Sequence, residues 1–229
     1  MLYSTRGIVL HYMKYKETSI IVKIFTEKLG KQSFLIPEVR APNARHASAL
    51  FQLLVPLELE MDYRQNTSLQ RVIEVKQHFP VTAMVSDIHK TAIITFLAEL
   101  LNKTLYEELQ NAALFDFLLQ SIVDLNKLQT GYEAFYLGFM LRLCAFLGFG
   151  CTHALEINMQ LRRAGHQQCF SVEEMSFLNH LLQATTPDTT SLPKASHSNM
   201  LMGVLRYMQL HVDHLHTLKS LSVLQALSQ

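Results

Sequence analysis

Pro80 divides the hydrophobic pattern of this 229-residue chain in two, and few folds accommodate both halves. Before it, apolar residues gather in short runs rich in Ile, Val, Leu, Phe and Tyr: Gly7–His11, Thr18–Phe25, Gln32–Ile36, Phe51–Tyr63 and Leu69–Gln77. The stretch Leu57-Glu58-Leu59-Glu60-Met61-Asp62 alternates strictly, which gives a strand one apolar and one acidic face. Turn-forming residues separate the runs at Tyr15–Glu17, Lys28–Lys31, Pro37–Ala47 and Arg64–Ser68. Five strands in so short a module point to a small closed barrel, because closure removes exposed edges; an SH3-like barrel gives a similar pattern.

After Pro80 the period becomes helical. Ser86 or Asp87 can cap a helix carrying Ile88, Ala92, Phe96, Leu97, Leu100 and Leu101. Thr104 with Glu107, and Ser171 with Glu174, have the spacing of capping boxes. Further helices are expected near 111–127, 131–147, 171–183, 197–215 and 219–227, with Gly148 and Gly150 ending the central one. The segment Thr185–Ser198, rich in Thr, Ser and Pro, reads as an exposed loop. The expected class is α+β: a five-stranded barrel over residues 1–80, then an all-helical domain over 81–229.

Charge is distributed unevenly between the halves. The net formal charge is +1, but residues 1–80 hold eleven Lys and Arg against seven Asp and Glu, and the rest nine against twelve. A weakly basic module on a mildly acidic scaffold permits nucleic-acid binding without requiring it. The three cysteines, Cys144, Cys151 and Cys169, form no regular even set, which argues against a secreted disulfide framework. Ser4, Thr5, Arg6, Lys14 and Lys16 interrupt any apolar signal core. The most apolar stretch, Phe135–Phe149, is short for a membrane span and contains Arg142, so a buried helix is expected. A cytoplasmic protein with no membrane association follows as the expectation.

Several ordered segments carry a family pattern. Gly7-Ile8-Val9-Leu10, Tyr15, Glu17-Thr18-Ser19, Ile21-Val22, Phe25-Thr26 and Gly30-Lys31 together resemble the opening of the RecO family. Arg40-Ala41-Pro42-Asn43-Ala44-Arg45, followed by Ala49-Leu50-Phe51-Gln52, is similar to that family's basic loop and fourth strand. Phe139-Met140-Leu141-Arg142 running into Leu147-Gly148-Phe149 resembles its central helix and glycine stop, and Leu218-Lys219-Ser220 a short motif near its end. The resemblance implies an N-terminal OB-fold that binds single- and double-stranded DNA, and a helical domain that docks partners. It further implies annealing of complementary strands, binding of the acidic C-terminal tail of single-stranded-DNA-binding protein, and loading of RecA together with RecR, with no catalytic activity.

Lys31, Arg40 and Arg45 stand where the family's basic residues cluster, with Lys14, Lys16 and Lys23 as further candidates for phosphate neutralisation. The alternative for any single one is an ordinary solvated surface charge. Pro37, Glu38, Ala41 and Asn43 dilute the basic run. Lys23 points outward if Ile20, Val22 and Ile24 face the core, and Tyr12, Tyr15 and Phe34 either stack bases or pack in the core. Arg142, alone in an apolar helix, needs an anion, an acceptor network or water. The resemblance assigns it to the acidic tail, whose carboxylate suits a guanidinium fork; an internal pair with Glu99, Glu133 or Glu156 is the alternative.

Many relatives build a zinc site from Cys-x-x-Cys pairs after the central helix. Here Cys151-Thr152-His153 and His166-Gln167-Gln168-Cys169 offer ligand-type groups, but Cys-x-His chelates poorly on regular backbone, and no metal or other cofactor is expected. His211, His214 and His216 share no helix face and read as surface histidines. No placed nucleophile or dinucleotide motif argues for an enzyme. The competing reading is a protein-interaction adaptor with little DNA affinity that acts through the helical domain.

Overall fold

The computed structural model describes residues 2–37, 39, 49–65, 67–81, 86–107, 110–167, 170–184 and 194–227. The chain divides into two compact units, one of Met1–Ser86 with Ile94–Asn126 and the other of Asp87–Ile93 with Lys127–Gln229.

In the first unit five strands, β1 (Leu2–Tyr15), β2 (Ser19–Thr26), β3 (Gly30–Ile36), β4 (Pro56–Asp62) and β5 (Gln70–Gln77), close in the order β1-β2-β3-β5-β4. All pairings are antiparallel except β3 with β5. This is the OB-fold arrangement expected from the sequence. One strand makes closure possible: β1 pairs with β4 from Leu2 to Ile8 and with β2 from Gly7 to Tyr15, bending at a bulge between Val9 and His11. At the overlap sits Gly7, where a Cβ would meet Ile24 Cγ2 at 2.6 Å and Leu59 Cδ1 at 2.9 Å. Only a residue without a side chain fits that corner. Val9, Val22, Ile24, Phe34, Leu57, Leu59 and Met61 fill the interior and are essentially inaccessible.

β1 is longer than its apolar run predicts, because its polar last residues pair with β2 although they lack a core to face. β4 is shorter: Phe51–Val55 forms turns, with Leu54 in a left-handed conformation at φ 57° and its amide donating to the Val9 carbonyl. Helical residues 94–126 share the barrel's unit because they cover its outer face. Phe25 points away from the barrel core yet is buried, its ring 6.2 Å from Phe115. Arg6 lies over the same ring at 5.1 Å, while its guanidinium donates twice to Glu27, at 2.8 and 2.9 Å, and once to Asp116.

The helices are α1 (Ile88–Thr104), α2 (Ala112–Lys127), α3 (Tyr132–Phe146), α4 (Ala154–Arg163), α5 (Val172–Gln183), α6 (Lys194–Gln209) and α7 (Leu221–Leu227). Asp87 caps α1, its Oδ1 accepting from the amides of His89 and Lys90, and Tyr132 Oη donates to its other oxygen at 2.7 Å. Ser171 and Glu174 form the expected capping box at α5. Thr104 and Glu107 do not. Thr104 is the last residue of α1, and its hydroxyl donates back to the Leu100 carbonyl; Asn111 caps α2 instead.

Helix α3 is the axis of the second unit, with nine buried side chains, packed against α5 and α6. Gly148, at φ +90°, ends it with paired bonds: the Gly148 amide to Ala145 O and the Phe149 amide to Cys144 O. Helix α4 was not evident from periodicity. Its start is fixed by Glu156, which accepts from the amides of Thr152 and His153, and its buried face by Ile157, Asn158 and Leu161.

Candidate nucleic-acid interface

The candidate residues of the barrel fall into three groups. The first lies on the β1–β2 hairpin, whose tip extends past the last core pair. Tyr12, Met13 and Tyr15 are 50%, 43% and 37% exposed, and Lys14, Lys16 and Glu17 are exposed beside them. Lys16 opens the turn in a left-handed conformation at φ 54°, which places its ammonium 5.5 Å from the Tyr15 ring. The hairpin thus presents two cations and two ring faces to solvent, with one carboxylate. This loop is one of the positions from which OB-folds bind oligonucleotides.

The second group lies on the outer face of β1, β2 and β3. Lys23 does point outward, as Ile20, Val22 and Ile24 are buried in the core. It stands opposite His11 and Ser33 in the strand register and is half-buried. Burial, then Lys23, pushes the His11 imidazole toward its neutral form, against the pull of Glu99. Lys31 is half-buried as well, and its ammonium donates to the Asn102 carbonyl at 2.9 Å. That carbonyl belongs to the last turn of α1, where no amide is available to it. Burial lowers the Lys31 pKa, Lys23 lowers it further, and Glu107 opposes both. Phe34 is fully buried in the barrel and stacks no base, because its position on β3 faces the interior.

The third group, Arg40 and Arg45, lies outside the described residues. On the far side of the barrel, β4 and β5 expose Glu58, Glu60 and Glu74, with Lys76 bonded to Glu74 at 2.6 Å.

In the helical unit, Arg142 donates through Nη2 to the Ala184 carbonyl at the C-terminal end of α5. The carboxylates that could pair with it internally lie beside other groups: Glu156 accepts from Thr152, Glu133 is 3.9 Å from His197, and Glu99 is 3.6 Å from Lys103. No group of three metal-ligating side chains occurs among the described residues; Cys169 lies outside them. Burial pushes the Cys151 thiol up to about 11, which keeps it protonated and a poor ligand at neutral pH. His211 stacks on Phe149 at 4.5 Å and reaches Gln160 at 2.9 Å, while His214 and His216 are exposed. No helix among the described residues is long and apolar enough to cross a membrane.

Comparison with known proteins covers both units. The family model described as Recombination protein O N terminal matches residues 1–80, and that described as Recombination protein O C terminal matches residues 85–152. A DNA repair protein RecO of Bacteroides fragilis is 36% identical over 99% of both chains. Another, of Phocaeicola vulgatus, is 34% identical over 99% of both. A third, of Flavobacterium psychrophilum, is 28% identical over 96% of this chain and 97% of its own. With two family models in the expected order and end-to-end likeness to these relatives, the chain belongs to the RecO family of DNA repair and recombination proteins.

Proposed function

We propose that the chain is a non-enzymatic, cytoplasmic recombination mediator. It binds single- and double-stranded DNA through the barrel, anneals complementary strands, and acts with RecR to load RecA on DNA coated by single-stranded-DNA-binding protein. Residues 1–80 supply the DNA-binding module and 81–229 the partner-docking surface. The observation that carries this reading is the hairpin tip, where Lys14 and Lys16 stand exposed beside Tyr12 and Tyr15 on an OB barrel. Cations that neutralise phosphates and rings that accept stacked bases are the two components of sequence-independent single-strand binding. Lys23 and Lys31 contribute more weakly, being half-buried; Arg40 and Arg45 are proposed to extend the basic track. Arg142 is proposed to hold the acidic tail with the guanidinium nitrogens not bonded to Ala184.

The test is annealing of complementary oligonucleotides, bare and coated by single-stranded-DNA-binding protein. Annealing in both states is expected, and failure in both overturns the reading. Binding of a labelled single strand is expected to weaken linearly in a log–log plot against salt. The Lys14→Ala/Lys16→Ala variant is expected to flatten that line by about one to two phosphates' worth of slope. The adaptor reading is favoured by one observation, the bond between Lys31 and the Asn102 carbonyl, which reduces the exposed charge of the barrel. A salt slope near zero in the unaltered protein would select it.

A further inference from the structure

A polar cleft of about 720 Å³ opens in the barrel unit beside β3, lined by Lys31, Ser33, Tyr63, Gln65, Gln110 and neighbouring residues. Its back wall is the β4–β5 loop, and buried Gln70 holds that loop in shape. The Gln70 side chain accepts from the Arg64 amide at 3.0 Å and donates to the Arg64 and Thr67 carbonyls at 2.9 and 2.8 Å. These bonds hold Arg64 and Thr67 in place before anything enters the cleft, which lowers the ordering required on binding. The Tyr63 ring is fixed in turn by an edge contact with Tyr3 at 5.5 Å.

The chemistry of the lining is selective. Lys31 and Glu107 are the charged residues among those lining the cleft, and they oppose each other. A phosphate-rich ligand gains little from such a balanced pair. What the cleft offers instead is amide edges from Gln65 and Gln110, hydroxyls from Ser33, Thr67 and Ser68, and one aromatic ring. A planar, uncharged group with donors and acceptors along its edge fits this set, since a Gln amide pairs two-pronged with such an edge and a Tyr ring stacks on its face. The size lies within the range of small-ligand pockets.

We infer that this cleft receives an unpaired base of a bound DNA strand, stacked on Tyr63 and edge-bonded by Gln65, and so lets the barrel distinguish single strands from duplex. The inference rests on the DNA-binding reading above and goes beyond it, since the hairpin lysines bind phosphates that both forms of DNA share. A base paired in a duplex has its edge occupied and its faces stacked, and cannot enter.

The test measures binding of three labelled probes to the full chain: a mixed-sequence single strand, the same strand with abasic sites, and the corresponding duplex. For Tyr63→Leu a loss of roughly tenfold is expected on the single strand. For Gln65→Ala, an exposed position whose change leaves the barrel core intact, the expected loss is about fivefold, the lower end of a discriminating base contact. Neither variant should change the salt slope, because no phosphate contact is removed. Both should treat the abasic strand and the duplex as the unaltered protein does. Equal losses on all three probes, or no loss on the single strand in either variant, overturn the assignment. Displacement of the strand by micromolar deoxyadenosine monophosphate also overturns it, since the cleft would then serve a free nucleotide. If the unaltered protein binds no DNA, both the functional reading and this inference fall. If it binds with a normal salt slope and only the cleft variants behave as unaltered protein, this inference falls alone.

Discussion

The barrel unit turns polar groups outward at the β1–β2 hairpin, where Lys14, Lys16, Tyr12 and Tyr15 have little to pack against. The helical unit instead takes several polar groups inward: Arg142 on a backbone carbonyl, His197 buried 3.9 Å from Glu133, and the Cys144 thiol raised by burial. Yet the two units share one device. Lys31 in the barrel unit and Arg142 in the helical unit each end on a carbonyl in the final turn or cap of a helix. Helix C-termini carry unsatisfied carbonyls and a partial negative charge, and a long cation folded back nearby is an economical partner. A basic side chain near a proposed site can thus be occupied by the protein's own backbone, and only an exposed one, like Lys14, is wholly available to a ligand.

The largest effect that tests this comparison comes from the barrel's closure. Gly7→Val should cost about 3 kcal/mol or more, because it drives a side chain into Ile24 and Leu59. Urea denaturation should show it, and DNA binding should be lost with the fold. Next, Arg142→Met should lower stability by about 1–2 kcal/mol by leaving the Ala184 carbonyl without its charged donor. The same variant should weaken binding of an acidic, Phe-terminated peptide while leaving DNA affinity intact. Unchanged peptide affinity would confine Arg142 to its structural bond.

Lys31→Met should behave oppositely to the hairpin variant. A loss of about 1 kcal/mol in stability is expected, with most of the salt slope of DNA binding retained. The Lys14→Ala/Lys16→Ala variant should keep its stability and lose slope. If both variants change slope equally, the distinction between occupied and exposed cations is wrong. The smallest effect concerns pH. Burial lowers the His197 pKa from 6.5 in spite of Glu133, so below that pH the unfolded chain takes up the proton first. Stability contributed at neutral pH is then lost as the pH falls below about 6.5. His197→Gln should flatten that decline, by at most about 1.4 kcal/mol per pH unit. In the barrel unit the corresponding group is Glu27, held below its usual range by the hydrogen bond from Arg6. Its contribution should persist to lower pH and fade only as the acid range below 4.5 is entered.

Much of the architecture could be read from residue pattern. Strict alternation in Leu57–Asp62 sets which face of β4 is buried, and Ser171 with Glu174 marks a helix start, because both are local effects that need no distant partner. The reading failed where distance mattered. Thr104 has the spacing of a cap but sits at a helix end, and α4 is hidden because its polar exposed face obscures the period. The candidate site was legible in part: Lys14, Lys16, Tyr12 and Tyr15 are named by a turn signal and by residue type. The β4–β5 loop was legible only as a turn, since nothing local tells that Gln70 will shape it into the wall of a cleft.

What the sequence alone determined is therefore the strand-then-helix order, the face of each strand that is buried, and membership of the RecO family, all carried by periodicity and ordered motifs. Tertiary structure decided which cations remain available. Lys31 and Lys14 are the same residue type on two strands of one barrel, β3 and β1. Only the fold brings the carbonyl of Asn102, 71 positions away in sequence, to one of them and leaves the other in water.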